Sequence, residues 1–152
     1  MNQELKKSFK NLIEKCKFCN LSNINADGFP ETRAMLNLAN PSITTKHFLG
    51  KDFSVYFTTN TSSEKFKNLL SNSKTSIYYV EPDKFCALLL IGETSVIEDE
   101  KIKKDFWQSC WTMYYKEGLK DPEYQLFKFT PIKYKYYDGK FAVQSGEIIH
   151  TK

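Results

Sequence analysis

The stretch that most limits how this chain can fold is Phe85–Ile97, FCALLLIGETSVI. Its first half is apolar on both faces of a strand, and its second half alternates. A strand buried on both faces belongs to a sheet that is covered twice. The apolar run Phe85–Ile91 is far too short to cross a bilayer as a helix. Gly92 marks a bulge or bend in mid-strand. The other extended stretches are short and bounded by turn residues: Phe18–Asn25, Pro30–Asn40, Phe53–Thr59, Lys74–Glu81, Tyr124–Phe129, Lys133–Tyr137 and Phe141–Gln144. Asp27-Gly28 and Asp138-Gly139 are hairpin signals, and Pro82-Asp83 turns the chain. Few helices lie between these strands, so a parallel βαβ sheet lacks its crossovers. The expectation is an antiparallel barrel. The second cover on Phe85–Ile91 is then most simply another copy of the chain, which predicts a homodimer.

Three segments have helical period. Asn2–Lys17 carries Leu5, Phe9, Leu12, Ile13 and Cys16 on one face and charge on the other, which suits a helix covering an end or flank of the sheet. Phe66, Leu69 and Leu70 define a second helix. Ile102, Phe106, Trp107, Cys110 and Met113 define a third within Glu98–Tyr115, with Trp111, Tyr114 and Tyr115 crowding its end. The whole, 1–152, reads as one domain, with the N-terminal helix at 2–17 and the barrel over about 18–144. The residues after Gln144 are expected to be poorly fixed.

Composition narrows the class. The chain has 152 residues, enough for one real core. Aromatic residues make up 15%, with twelve Phe and nine Tyr, which favours strands and ring-lined pockets over a bundle. The net charge of +4 is spread among interspersed charges, so it suggests attraction to phosphorylated ligands and not a nucleic-acid platform. A single-strand-binding barrel using Lys133, Lys135 and Lys140 with nearby tyrosines is the nucleic-acid alternative. The amphipathic, Lys-rich start lacks the apolar core of a signal peptide, so the expected location is cytoplasmic, with no membrane partner. Cys16 and Cys19 form a C-x-x-C pair without the second ligand pair of a zinc site, and His47 and His150 stand apart. The cysteines read as reduced structural thiols, and no metal ligand is assigned.

The segment with chemical content is Phe53–Leu70, FSVYFTTNTSSEKFKNLL. It runs from strand through a hydroxyl-rich turn into a helix. Thr61 and Glu64 fit a capping box. Lys65 then falls in the helix's first turn, where the macrodipole disfavours a cation unless an anion is bound. Hydroxyls and free N–H groups at a helix start, beside a lysine, form a phosphate seat. The same pattern also fits an ordinary capped helix with a solvated lysine. On Pro30–Asn40, alternation puts Ala34, Leu36 and Leu38 on the core face and Arg33, Met35 and Asn37 on the other. Arg33 is thus a mid-strand cation that is either solvated or forked onto a phosphate.

Four segments together resemble the pyridoxamine 5′-phosphate oxidase-like, FMN-binding split-barrel family, and most of all its general stress protein branch. They are D-G-F-P-E-T-R-A-M-L (27–36), F-T-T-N-T-S-S-E-K (57–65), L-I-G-E (90–93), and D-P-E-Y-Q-L-F-K-F-T-P (121–131) with Y-Y-D-G (136–139). The resemblance implies a mainly β, antiparallel split barrel of Greek-key type with a few peripheral helices. It also implies a homodimer with FMN between subunits. Arg33, Ser63 and Lys65 match the phosphate-binding positions. Ala34, Met35 and Leu36 match the strand whose backbone borders the isoalloxazine ring. Thr58 and Thr59 match the positions that contact ring and phosphate, and Trp111 matches an aromatic position of the stress-protein branch; Trp111 or Tyr137 is the candidate ring wall. Glu64 and Leu38 stand where the oxidases carry arginine and lysine. The arginine-rich C-terminal motif for a substrate phosphate is missing, which speaks against vitamin B6 oxidation. The implied activity is a flavin-dependent oxidoreductase with NADH or NADPH as donor and no residue assigned as catalytic. A non-enzymatic flavin-binding stress protein and a haem-binding split barrel are the alternatives.

Overall fold

The computed structural model describes residues 1–44, 49–140 and 142–149. His47 and His150 lie outside these residues. The elements are α1 (Gln3–Lys15), β1 (Phe18–Ile24), β2 (Pro30–Leu36), β3 (Val55–Asn60), α2 (Glu64–Ser71), β4 (Lys74–Glu81), β5 (Cys86–Ile97), α3 (Glu100–Phe106), β6 (Tyr124–Asp138) and β7 (Val143–Glu147). All strand pairs are antiparallel and belong to one sheet of order β2-β1-β4-β5-β6-β3, with β7 pairing the second half of β6. Curled, this sheet is a split barrel: β2 and β3 end the order and do not pair with each other. Among the described residues, no helix is long and apolar enough to cross a membrane.

Two cores hold it. The larger lies inside the curl, where Leu21, Ile77, Tyr79, Leu88, Leu90, Phe127 and Phe129 are almost fully buried. Helix α1 closes this end. Phe9 enters it edge-on to Phe53 and Tyr134, with centroids 5.5 and 5.0 Å away. Burial of one such ring is worth about 1.5–3 kcal/mol. Asn2 caps α1 by accepting from Leu5 N at 2.8 Å. The smaller core lies on the outer side of β3 and β6, where Leu38, Phe106, Trp111, Tyr115, Tyr124 and Leu126 pack together.

Several sequence expectations are corrected. Tyr124–Phe129 and Lys133–Tyr137 are one strand, not two. Pro131 is accommodated because the register shifts beside it: Gly92 faces Pro131 while Ile91 faces Lys133, leaving Ile132 as the extra residue of a bulge. A Cβ on Gly92 would collide with the backbone of Thr130 and Pro131, so only glycine fits there. The third helix stops at Phe106; Trp107 and Gln108 are extended, and Ser109–Met113 forms a separate 3-10 turn. That break exposes Cys110 and Met113 and buries Trp111. The expected strand Pro30–Asn40 ends at Leu36, because Asn37 and Asn40 turn inward to bond the last carbonyls of α1, those of Ile13, Glu14, Lys15 and Cys16. The tail beyond Gln144 continues β7, and buried Ile148 donates to Ile132 O at 2.8 Å.

The faces of β2 are also the reverse of the expectation. Register pairs Cys19 with Met35, Leu21 with Arg33 and Asn23 with Glu31. Cys19, Leu21 and Asn23 point into the barrel, so their partners do too. Arg33 and Met35 are therefore the inner residues, and Ala34 and Leu36 the outer ones. Apolar character alone misleads on an edge strand, and a one-residue change of phase turns every side chain over.

Candidate functional site

The seam between the two edge strands is where the chemistry gathers. A cavity of about 520 Å³ opens there, within the usual range for small-molecule sites. Leu36 comes from the β2 edge, with Phe18 beside it in register. Thr58, Thr59 and Asn60 come from the end of β3, Ser62 and Ser63 from the turn, and Lys65 from the first turn of α2. Trp111, Tyr114 and Tyr115 form the aromatic side. Among the described residues the edges of β2 and β3 have no further sheet strand beside them, so their peptide groups are available to a ligand.

The turn is built by local bonds. Ser63, not Thr61, is the N-cap of α2, and its Oγ accepts from Phe66 N at 3.2 Å. The expected Thr61–Glu64 capping box does not form, because Thr61 Oγ1 instead donates to Pro122 O at 3.0 Å. Glu123 accepts from both the N–H and the hydroxyl of Ser62, at 3.1 and 2.7 Å. Those bonds hold the Glu123 carboxyl below its usual range. Thr59 Oγ1 and Ser63 Oγ lie 3.1 Å apart. Glu64 is exposed, away from the cavity.

Lys65 is half-buried, with its Nζ 3.4 Å from Met35 Sδ. Among the described residues no carboxylate forms an ion pair with it. Burial, and then the neighbouring Arg33 guanidinium, push its amine down to about 8. Arg33 stands behind it, bonded to Asn23, to Glu31 O at 3.1 Å and to the Glu31 carboxylate at 2.9 Å. The hydroxyls of Thr58, Thr59, Ser62 and Ser63 thus share one cavity with a half-buried lysine that feels a second cation behind it.

The structure thus brings Leu36, Thr58, Thr59, Ser63, Lys65 and Trp111 to one cavity; Met35 contacts the Lys65 amine and Arg33 acts on its charge, but neither lines the cavity. Ala34 is exposed on the outer face and is not part of this wall. Tyr137 lies elsewhere, in a second cavity beside Tyr78, Val80 and Phe85. The sequence reading missed Phe18, Asn60, Ser62, Tyr114 and Tyr115 as lining residues, and Glu31, Asn23 and Glu123 as supports. Glu31 was legible in principle, since it sits two residues before Arg33 on a strand and so shares its face. The Glu123 contact joins residues sixty-one apart and left no local signal.

Comparison with known proteins places this geometry. The model of the family described as pyridoxamine 5′-phosphate oxidase like matches residues 4–150. The chain belongs to that family. Within it, the fold is shared with a solved protein from Clostridium acetobutylicum described as related to general stress protein 26 of the pyridoxinephosphate oxidase family. That likeness has a TM-score of 0.79 and 24% identity, and covers 97% of each chain. General stress protein 26 from Bacillus anthracis gives 0.73 at 21% identity, covering 95% of this chain and 99% of that one. A heme binding protein from Mycobacterium smegmatis gives 0.72 at 11% identity, covering 97% of this chain and 59% of that one. None of the curated proteins matches the sequence. In this pyridoxamine 5′-phosphate oxidase-like chain, the lysine of the sequence resemblance lines the seam cavity, and the arginine, on the inner face of β2, is near enough to act on its charge.

Proposed function

We propose that this protein binds FMN in the seam between β2 and β3 and works as a flavin-dependent oxidoreductase of the general stress protein kind. The observation that carries the reading is that Lys65, under the influence of the Arg33 charge, lines one cavity with the hydroxyls of Thr59 and Ser63. The residues fit the group. The cations and hydroxyls suit a phosphate dianion, and the aromatic side with Leu36 suits a flat ring system. Lys65 and Arg33 would hold the phosphate. Thr59 would donate to it, and Ser63 would do so by turning its hydroxyl away from Asn60 O. Trp111, Leu36 and the backbone edge at Ala34–Leu36 would border the ring. When bound, the flavin supplies hydride or electron transfer, with NADH or NADPH as donor. The protein's part is to bind, orient and shield. Among the described residues the lining offers hydroxyls and a lysine and no thiolate or imidazole, which favours a flavin over a haem.

A homodimer completes this reading. Tyr78, Val80, Leu89 and Ile91 lie on the outer face of the sheet and are half-buried or exposed in the single chain. A second copy covers them. The deciding measurement is the visible spectrum of the purified protein, which should show the two bands of an oxidised flavin, taken together with its mass in solution. Colourless protein that takes up no added FMN sinks the reading. Turnover of NADH or NADPH with an acceptor separates an enzyme from a flavin carrier.

A further inference from the structure

We propose that Lys65 is a carbonyl-reactive amine: in the ligand-free protein it condenses with an aldehyde borne on a planar aromatic ring to form an imine. The proposal shares its cavity with the flavin reading but stands on different observations.

Lys65 lines a cavity large enough for a small molecule, and the partner of its Nζ is a thioether, Met35 Sδ, at 3.4 Å. The charged groups around it favour the neutral amine. From β2 it faces Arg33, whose own charge is met by Glu31. From the 61–63 turn no carboxylate reaches it: Glu123 is engaged with Thr61 and Ser62, and Glu64 is exposed. From the aromatic side the titratable group is Tyr115, whose hydroxyl burial keeps protonated. With the amine pushed down to about 8, a substantial fraction is neutral at mildly alkaline pH, whereas an ordinary surface lysine is almost wholly protonated there. Trp111 and Tyr114 supply a surface for the ring.

The chemistry balances without an oxidant. The Nζ lone pair attacks the carbonyl carbon and the C=O π pair moves to oxygen. A proton passes from nitrogen to that oxygen, and the carbinolamine loses water as the C=N bond forms. A bound phosphate dianion would reverse this state by holding Lys65 protonated. Reactivity is therefore a property of the empty seat.

The test uses the full chain freed of flavin, salicylaldehyde as probe, borohydride to trap the imine, and peptide mapping. At pH 8 the trapped adduct should concentrate on Lys65, about tenfold over an average surface lysine, since the larger neutral fraction is partly offset by weaker nucleophilicity. Its rate should level off above pH 8, and Lys65→Arg should remove it while the remaining lysines label as before. Inorganic phosphate should suppress it. Adduct spread over surface lysines in proportion to their exposure, or a rate at Lys65 still climbing toward pH 10, overturns the proposal. Loss of labelling on adding FMN supports a shared seat. Labelling unchanged by FMN leaves the reactive amine standing and counts against the flavin site alone.

Discussion

The interior under α1 and the seam between β2 and β3 are made from the same sheet and follow opposite rules. Under α1, the strands β1, β4, β5 and β6 are paired on both sides, and their inner residues are apolar and close-packed. Phe57 stacks on Phe127 at 5.5 Å, 4° from parallel. At the seam, strand edges lack partners, a lysine is half-buried without a carboxylate among the described residues, and an arginine stands behind it. The first region spends its backbone polar groups on the ladder. The second leaves donors and charge unspent. Stability is concentrated where pairing is complete, and binding capacity where it is interrupted. The difference can be tested by perturbing each region and reading both stability and flavin binding.

The largest effect should come from Arg33→Ala combined with Lys65→Ala. Each charge-assisted bond to a phosphate is worth about 1.5–3 kcal/mol, so FMN affinity should fall on the order of 10²- to 10⁴-fold in a fluorescence titration. The flavin-free double variant should be less stable than wild type by about 1–3 kcal/mol, because removing Arg33 leaves buried Asn23 without its guanidinium partner, whereas Lys65→Ala alone should melt no lower, since its amine is held at a disadvantage in the empty site. Wild-type affinity in the double variant would remove the seam's role. Phe127→Ala is the counterpart in the interior. It should cost about 3–5 kcal/mol in urea denaturation while the folded fraction keeps its affinity.

A smaller, pH-dependent effect belongs to the seam alone. In the empty protein Lys65 titrates at about 8, below an unfolded value of 10.5. A bound dianion raises it, so the complex holds more protons than the empty protein once pH exceeds about 8. Affinity for FMN should therefore fall as pH rises through that point, by up to about tenfold per pH unit. Lys65→Arg, charged throughout, should flatten the profile. In the empty protein the sign is opposite: between pH 8 and 10.5 the unfolded chain binds more protons, so the contribution of Lys65 to stability rises with pH.

The smallest effects compare two helix caps. Asn2→Ala and Ser63→Ala should each cost about 1 kcal/mol of stability. Only the second should also weaken FMN binding, since Asn2 caps α1 at the closed end and Ser63 caps α2 at the cavity. Equal losses of affinity would erase the distinction between the two regions.

Much of the fold is legible in the residues because it rests on local rules. The extents of α1 and β4, the hairpins at Gly28 and Gly139, and the bulge at Gly92 follow from period and turn chemistry. The errors share one cause. Pro131 looks like a break, yet a shift of register absorbs it. Trp107 looks like helix, yet Trp111 finds more burial in the smaller core if the helix stops first. Ala34 and Leu36 look like core, yet the pairing of β2 with β1 turns Arg33 and Met35 inward.

The sequence by itself determined the class of structure and the kinds of group available: short strands, hydroxyls before a helix, a lysine in its first turn and an arginine in mid-strand. These follow from interactions a few residues long, which the chain carries in its order. That Arg33 comes near enough to act on the charge of Lys65, that Glu31 and Glu123 are placed to support them, and which face of β2 carries the cation were decided only by the tertiary structure. Strand register is set by pairing across long separations, and burial is set by what packs above.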